Sequence, residues 1–221
     1  MKKSLKRARV IVPLMMVAVI ALCGMHWGWK YYLLSYFPSR SAYVAVESRV
    51  DDALAYANQH KMNEHYALFV DYSIPSGKPR MYVWDFEKKK IVYCAYVMHG
   101  PGGGSTDKEA HFSNEPESHC SSLGRFIVTK EHGQKVKSSF RLKGMDADNQ
   151  TAYRRGLMIH NSKWIDYRCW MKYIPLNEKA CQGCVTVSRR DMTYLLKLIN
   201  GEKKLLLLWS FVGGDAVKDG M

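Results

Sequence analysis

The chain has 221 residues, of which 47% are hydrophobic, and its formal net charge is +13. A chain of this length can bury one good-sized core, but a second would be crowded once a membrane segment is subtracted. We therefore expect one globular domain and exclude a second domain of similar size. The sequence contains no internal repeat and no low-complexity tract.

The N-terminal segment joins a basic head to a long apolar run. Residues 10–29 contain no Lys, Arg, Asp or Glu, and the basic residues before them are Lys2, Lys3, Lys6, Arg7 and Arg9. An α-helix needs about 20 apolar residues to cross a hydrocarbon layer about 30 Å thick, and the basic flank orients the N-terminus to the cytoplasm. We predict that residues 1–35 form a single-pass anchor in the inner (cytoplasmic) membrane. A cleaved signal peptide is the alternative, and retention is favoured because no clear Ala-x-Ala site follows.

Export determines how the basic charge is interpreted. The rest of the chain is expected to be extracytoplasmic, in the periplasm, where nucleic acid is not the usual partner of a basic domain. We predict no nucleic-acid partner and a membrane contact through the N-terminal helix. An anionic envelope polymer or lipid would explain the remaining charge, and ordinary solvated lysines would explain it equally well.

The six cysteines are Cys23, Cys94, Cys120, Cys169, Cys181 and Cys184. One lies in the apolar run, so an odd number remains for the exported part, and this indicates at least one free thiol in an oxidising compartment. Cys181 and Cys184 also form a Cys-x-x-Cys pair. It leads into a β-type run rather than a helix, and the other cysteines are isolated, so we predict no thioredoxin-like centre, no metal and no cofactor. A reversible disulfide between Cys181 and Cys184 that switches the protein off stays open.

Hydrophobic periodicity predicts a helix followed by a β-rich domain. Residues 36–62 are predicted to form a juxtamembrane amphipathic helix, since apolar residues recur there at helical spacing. The period then changes to two at residues 65–72, 80–86 and 91–98, the last two forming a hairpin. Residues 99–117, rich in Gly and Pro, are predicted to form a long loop.

The remainder of the domain, predicted to span residues 63–215, continues in the same way. Further strands are predicted at residues 124–129, 138–143, 156–160 and 184–188. Residues 205–212 form a near-continuous apolar run that we interpret as a last buried strand, with a helix as the alternative. Ser188 is expected to cap a helix, with Asp191 three residues on and apolar residues following at helical spacing. The domain is therefore predicted to be mainly β with a few helices.

The most informative residues are a histidine that ends one apolar run and a Gly-Cys pair that opens another. His160 follows residues 156–159, and Gly183 and Cys184 precede residues 185–188. If both side chains lie at the rim of one sheet, the imidazole can accept the proton of a thiol nucleophile. Gly183 permits a tight turn and close approach of a carbonyl to backbone N–H groups, as in an oxyanion site. On spacing alone, packing roles for these residues are the alternative.

The chain carries further stretches in the same order as a known family. They are residues 71–80, 97–100, 112–114, 121–124, 159–160 and 183–184, and they include a Ser-Ser-Leu-Gly segment and a short Gly-Cys signature. Together they resemble the catalytic domain of murein L,D-transpeptidases. The resemblance implies a mainly β fold, the L,D-transpeptidase-like β-sandwich or barrel.

The resemblance also implies a two-step acyl transfer. Cys184 would attack the carbonyl of the third residue of a peptidoglycan stem peptide and release the terminal D-alanine, while His160 handles the protons. An amine of a neighbouring stem peptide would then take the acyl group. Gly183 and Cys184 would supply oxyanion N–H groups. The residues implied to line the substrate cleft are His99, Ser121, Ser122 and Gln182.

Departures from the family pattern leave alternatives open. Asn161 follows the base where many members have Gly, and Cys181 and Gln182 replace the Ser or Thr and the His or Trp that precede the nucleophile. No Arg stands shortly after Cys184, the nearest being at residues 189–190. The acceptor stays open between a stem amine, a protein lysine and water, and with water the enzyme would be an L,D-carboxypeptidase. A non-catalytic peptidoglycan-binding relic is the remaining alternative.

Overall fold

A computed structural model describes residues 2–28, 38–134, 136–168 and 171–213. The chain divides into two compact units, Met1–Phe37 and Pro38–Met221. The first contains helix α1 (Lys2–Gly28), which includes Pro13. In the described ranges, no helix is both long enough and apolar enough to cross a membrane. The anchor in residues 1–35 therefore stays a prediction, and its boundary lies outside the described residues.

The second unit is built on an eight-stranded sheet. Its strands are β1 (Tyr66–Asp71), β2 (Met81–Asp85), β3 (Lys90–Ala95), β4 (Gly124–Val128), β5 (Ser139–Gly144), β6 (Met158–Asn161), β7 (Val185–Val187) and β8 (Leu206–Phe211). The strand order is β3-β2-β1-β8-β4-β5-β6-β7. Pairs β1/β8 and β6/β7 are parallel, and the other pairs are antiparallel. A bridge from Met98 to Thr186 nearly closes the sheet into a barrel, and the mainly β prediction is confirmed.

Alternating side chains divide the apolar residues between two layers. On β1, Leu68 and Val70 point into the inner core, which also contains apolar residues of helix α5 (Arg189–Gly201). Ala67 and Phe69 point to the outer face, which is covered by helices α2 (Arg40–Glu47) and α3 (Val50–Gln59). A strand with both faces covered is apolar along its whole length, which explains the unbroken burial of β2.

The single helix predicted for residues 36–62 is wrong, because the structure divides it into α2 and α3. The chain turns at Ser48 and Arg49, where both side chains donate to the carbonyl oxygen of Ala45, at 3.1 and 2.9 Å. The Arg49 guanidinium also lies 4.0 Å from the ring centroid of Phe211 on β8. The break lets each helix pack small residues against the curved sheet, where one straight helix would diverge from it.

The helix cap predicted at Ser188 is confirmed. Its hydroxyl accepts a hydrogen bond from the backbone N–H of Asp191 at 3.0 Å, which satisfies one of the unpaired donors at the start of α5. A short helix, α4 (Lys163–Asp166), and a 3-10 turn (Gln150–Ala152) were not predicted. Since α4 follows β6 directly, it lies close to the residues that carry the site.

Candidate active site

Parallel pairing of β6 with β7 brings the predicted base and nucleophile together. His160 is in register with Thr186 on β7, and Cys184 stands immediately before that strand. Both side chains line one cleft with a volume of about 670 Å³. We call it the Cys184 cleft; its other walls come from residues 116–119, 154–156 and 178–182.

The hydrogen bonds of His160 determine its tautomer. Nδ1 lies 3.2 Å from the backbone oxygen of Asn161, which can only accept, so Nδ1 carries the hydrogen. Nε2 then has a free lone pair, which accepts from the Thr186 hydroxyl at 3.1 Å. Burial lowers the pKa of His160, and the hydrogen bond to Asn161 only partly opposes this. At neutral pH the ring is uncharged and able to take a proton at Nε2.

Cys184 is held as a protonated thiol. Its side chain is 9% exposed, and Sγ lies 4.0 Å from the carbonyl oxygen of Gly156. Burial, and to a smaller extent the neighbouring Cys181, raise the pKa of the thiol to about 12, and the Met158 N–H and Arg155 only partly oppose this. Within the described residues no hydrogen bond joins Cys184 to His160. The resting site is therefore a thiol beside a neutral imidazole, and not a thiolate–imidazolium pair.

Gly183 occupies a position that only glycine can fill. Its φ is +93°, and a Cβ there would lie 2.3 Å from the carbonyl oxygen of Cys120. Any side chain would have to displace that backbone and, with it, the turn that presents Cys184. Gly100 packs against the same turn, since a Cβ on it would lie 2.7 Å from the Gly183 Cα.

Cys181 supports the turn from its buried side. The side chain is 2% exposed, and its Sγ lies 3.2 Å from the Cys184 carbonyl oxygen. Burial raises the pKa of Cys181, while the neighbouring Thr186 hydroxyl and the N–H groups of Gly183 and Cys184, which favour the thiolate, lower it. Since those N–H groups contact the Cys181 sulfur, their oxyanion role stays a prediction. Both cysteines are free thiols here, so their pairing also stays a hypothesis, and Cys169 lies outside the described residues.

Three residues expected in the cleft wall are instead buried behind it. His99 is 1% exposed, with Nδ1 accepting from Arg80 at 2.9 Å and Nε2 donating to the Thr106 oxygen at 2.9 Å. The hydroxyl of Ser121 accepts from the Gly100 N–H at 3.0 Å, and that of Ser122 donates to a loop carbonyl. None of the three is among the residues that line the Cys184 cleft, and their role in substrate binding stays a prediction. Gln182 is exposed and does line the cleft.

Sequence reasoning missed the arginines of the cleft. Arg154 and Arg155 line it, whereas Arg189, the nearest arginine after the nucleophile, donates to Asp166 through its Nε and backbone N–H. The sequence contained one indication of them, since Arg154 and Arg155 directly precede residues 156–159, the run that leads to His160. As for metals, the described residues contain no group of three or more His, Cys, Asp or Glu placed to hold an ion.

A barrel-like sheet that brings a cysteine thiol and a histidine ring into one cleft can support cysteine-dependent chemistry. The sequence profile of the L,D-transpeptidase catalytic domain matches residues 40–209. Because the match spans most of the chain, the protein belongs to the L,D-transpeptidase catalytic domain family.

Among solved structures, the chain is similar to the helical cell shape determining protein Pgp2 from Campylobacter jejuni. The identity is 11% and the TM-score 0.42, over 76% of this chain and 57% of that chain. A point mutant of Pgp2 gives 10% and 0.43, over 80% and 58%. The chain thus spans less than two thirds of the length of these proteins. No protein of curated function gives a significant match.

Proposed function

We propose that the protein is a peptidoglycan L,D-transpeptidase that forms an acyl-enzyme on Cys184. One observation carries this proposal: a neutral His160 on β6, with its lone pair on Nε2, and the thiol of Cys184, immediately before β7, line the same cleft. Membership of the family supplies the reaction class. The substrate would be a stem peptide, and the acceptor an amine of a neighbouring stem.

In each half of the proposed reaction, His160 takes up one proton and releases it again. The Cys184 sulfur bonds to the carbonyl carbon of the third stem residue while its proton passes to His160 Nε2. The tetrahedral intermediate collapses, the bond to the D-alanine nitrogen breaks, and the imidazolium protonates the departing amine. An acceptor amine then attacks the thioester, His160 takes the amine proton, and that proton returns to the released Cys184 sulfur.

Proton transfer has to be coupled to attack in this site. A free cysteine has a pKa of about 8.5, whereas burial raises that of Cys184 to about 12, so little thiolate exists before substrate binds. His160 Nε2 has to exchange the Thr186 hydroxyl for the thiol before it can act. Catalytic hydrogen bonds commonly shorten only in the substrate complex. We propose that the arriving acyl donor causes this exchange.

The cleft carries charges of both signs, which fits a substrate with free amines and carboxylates. Arg154 and Lys179 line it together with Glu117 and Glu178, and all four are exposed. Exposed charges of this kind orient a ligand and select against wrong partners more than they add affinity. The mixed lining supports a peptide with ionised termini over a purely apolar or purely anionic ligand.

Mass spectrometry of the reduced domain tests the proposal. Incubation with a carbapenem, whose ring carbonyl stands in for the stem carbonyl, should add one drug mass to the peptide that contains Cys184. With His160→Ala the adduct should form far more slowly near pH 7 and recover partly at alkaline pH, where hydroxide replaces the base. Cys181→Ser retains a polar side chain at the buried position, so labelling should stay within about tenfold, or 1.4 kcal/mol, of wild type.

Defined muropeptides identify the acceptor in the same assay. Cross-linked products have the mass expected of a transpeptidase, whereas trimmed products indicate water as acceptor and an L,D-carboxypeptidase. Binding of muropeptide without any adduct or product, in protein that is reduced and folded, would contradict acyl transfer and favour a wall-binding relic.

We further propose that the reaction takes place outside the cytoplasm, with residues 1–35 as the anchor. The motivation is the basic head followed by an uncharged run at residues 10–29. A reporter fused after Met221 that works only when exported should be active. Activity of a reporter that works only in the cytoplasm would contradict the orientation.

A further inference from the structure

One wall of the Cys184 cleft is a polar loop with little hydrophobic support. We call residues 113–122 the wall segment; it contributes Glu117 and His119 to the cleft. No side chain from residue 113 to residue 119 is buried. Glu117 and His119 both have left-handed backbones, with φ of 59° and 55°, and such residues cost about 1–3 kcal/mol each. Polar contacts therefore have to hold the segment in place.

Arg155 supplies four of these contacts. Its Nη1 donates to the Ser113 oxygen at 2.8 Å and the Ser122 hydroxyl at 2.6 Å. Its Nη2 donates to the Ser118 hydroxyl at 3.0 Å and the Cys120 oxygen at 2.8 Å. A planar guanidinium can bridge several acceptors in one fixed geometry, which the single ammonium of a lysine cannot reproduce. The four acceptors span the wall segment from end to end.

The same guanidinium lies against the nucleophile turn. Arg155 Nη2 is 3.4 Å from where a Cβ on Gly183 would stand, and the Cys120 oxygen that it holds is the atom that such a Cβ would meet at 2.3 Å. Arg155 also directly precedes Gly156, whose carbonyl oxygen lies 4.0 Å from Cys184 Sγ. One side chain thus fixes the distance between the wall segment and the turn that presents the thiol.

We infer that Arg155 is a positioning residue for acyl transfer, which fixes the wall segment so that an acyl donor is held against Cys184. This inference rests on the proposed function. Arg155 would touch neither the reacting atoms nor the leaving group, since the protein occupies both of its Nη groups. Replacing Arg155 should slow reactions that need the acyl donor bound in the cleft, and it should have little effect on reactions that need only the thiolate.

Two reagents that react with the same sulfur separate these cases. Iodoacetamide is small and does not have to be bound in the cleft before it reacts, whereas a carbapenem has to lie along the wall segment. The sulfur has to lose its proton in both reactions, before attack on iodoacetamide and during attack on the carbapenem, so the ratio of their second-order rate constants offsets much of a change in the pKa of Cys184. This offset is needed because the charge of Arg155 lowers that pKa, and Arg155→Lys, which keeps the charge, controls for the remainder. Other ionisable groups of the cleft are Cys181, His119, His160, Glu117, Glu178, Arg154 and Lys179.

In Arg155→Gln, the ratio of carbapenem to iodoacetamide rates should fall about 100-fold, the loss expected when a reactant is misplaced by about 1 Å. Arg155→Lys keeps the charge but not the four-way bridge, so its ratio should lie between those of wild type and Arg155→Gln. The matched control is Arg141→Gln: Arg141 is also partly buried, donates to the Tyr153 oxygen at 2.6 Å and does not line the cleft. Its ratio should equal that of wild type.

Ser118→Ala provides a second test that leaves the guanidinium intact. It removes one acceptor, so the ratio should fall several-fold, and the loss should not add to that of Arg155→Gln because both act through one contact. Circular dichroism identifies variants that remain folded, and Ser118→Ala and Arg155→Lys carry the test if Arg155→Gln does not.

A ratio in Arg155→Gln within twofold of wild type would overturn the inference, and so would an equal fall in Arg141→Gln. These outcomes differ from failure of the proposed function itself. In that case wild-type protein would react with iodoacetamide at Cys184 and form no carbapenem adduct at all.

Discussion

The two ends of the sheet differ in what packs against their strands. Strands β1 and β2 are covered on both faces, with an apolar layer from α2 and α3 outside and the inner core beneath. Strands β6 and β7 are shorter, and most residues of β6 are only half-buried. Their polar groups are held by specific hydrogen bonds, such as that from Thr186 to His160. The first end supplies most of the stability, whereas the second contains a glycine at positive φ, Gly183, and the buried thiol of Cys184.

Replacing a residue at each end should separate stability from chemistry, and this is the largest effect expected. Phe69 is fully buried between β1 and the outer helices, so Phe69→Ala should lower the free energy of unfolding by about 3–5 kcal/mol. Carbapenem labelling of the folded fraction should not change. Cys184→Ala should abolish labelling while unfolding within about 1 kcal/mol of wild type, since only a small group is removed. Urea denaturation measures both.

The comparison breaks down if both variants lose stability and labelling together. Stability and reactivity would then depend on one cooperative core, and the site end would not be energetically separate.

His99 provides a smaller effect, one that depends on pH. Burial, and to a smaller extent the nearby Arg80, lower its pKa to about 4. In the unfolded chain the ring takes up its proton as the pH falls through about 6.5, whereas in the folded chain it does so only near pH 4. Between these two values the unfolded state therefore binds more protons than the folded state. The stability that His99 contributes is therefore complete above pH 6.5 and falls as the pH drops to 4, by roughly 3 kcal/mol in total.

His99→Gln should flatten this part of the stability profile, measured by urea unfolding at a series of pH values. The control is His111→Gln, since His111 is exposed and should leave the profile unchanged. Equal slopes in wild type and His99→Gln would show that His99 titrates normally and that the Arg80 contact is not maintained in solution.

The strands and the reactive pair could be predicted because their signals are local. A period of two identified β1, β2 and β3, a near-continuous apolar run marked β8, and Ser188 with Asp191 marked the start of α5 within one turn. His160 and Cys184 stood out because each adjoins an apolar run, and the family resemblance then connected them. No long-range contact was needed for either inference.

What could not be predicted depends on contacts between distant residues. The partners of Arg155 lie 33 to 42 positions away in sequence, so nothing near it marks its role. His99, Ser121 and Ser122 occur in a polar, glycine-rich stretch that is typical of a cleft wall. Only the fold shows that all three are buried, with His99 bonded to Arg80 and Ser121 to Gly100. At the helix break, Arg49 likewise contacts Phe211, far along the chain.

The bridge between Met98 and Thr186 limits how a peptide can approach. Strand β7 is last in the sheet order, and such an outermost strand usually offers unpaired N–H and C=O groups that recruit another extended chain. Here the Met98 N–H donates to the Thr186 oxygen at 2.9 Å and occupies that position. A peptide ligand therefore cannot extend the sheet by adding to β7 at Thr186. A peptide bound in the Cys184 cleft would therefore depend on contacts other than backbone pairing with Thr186.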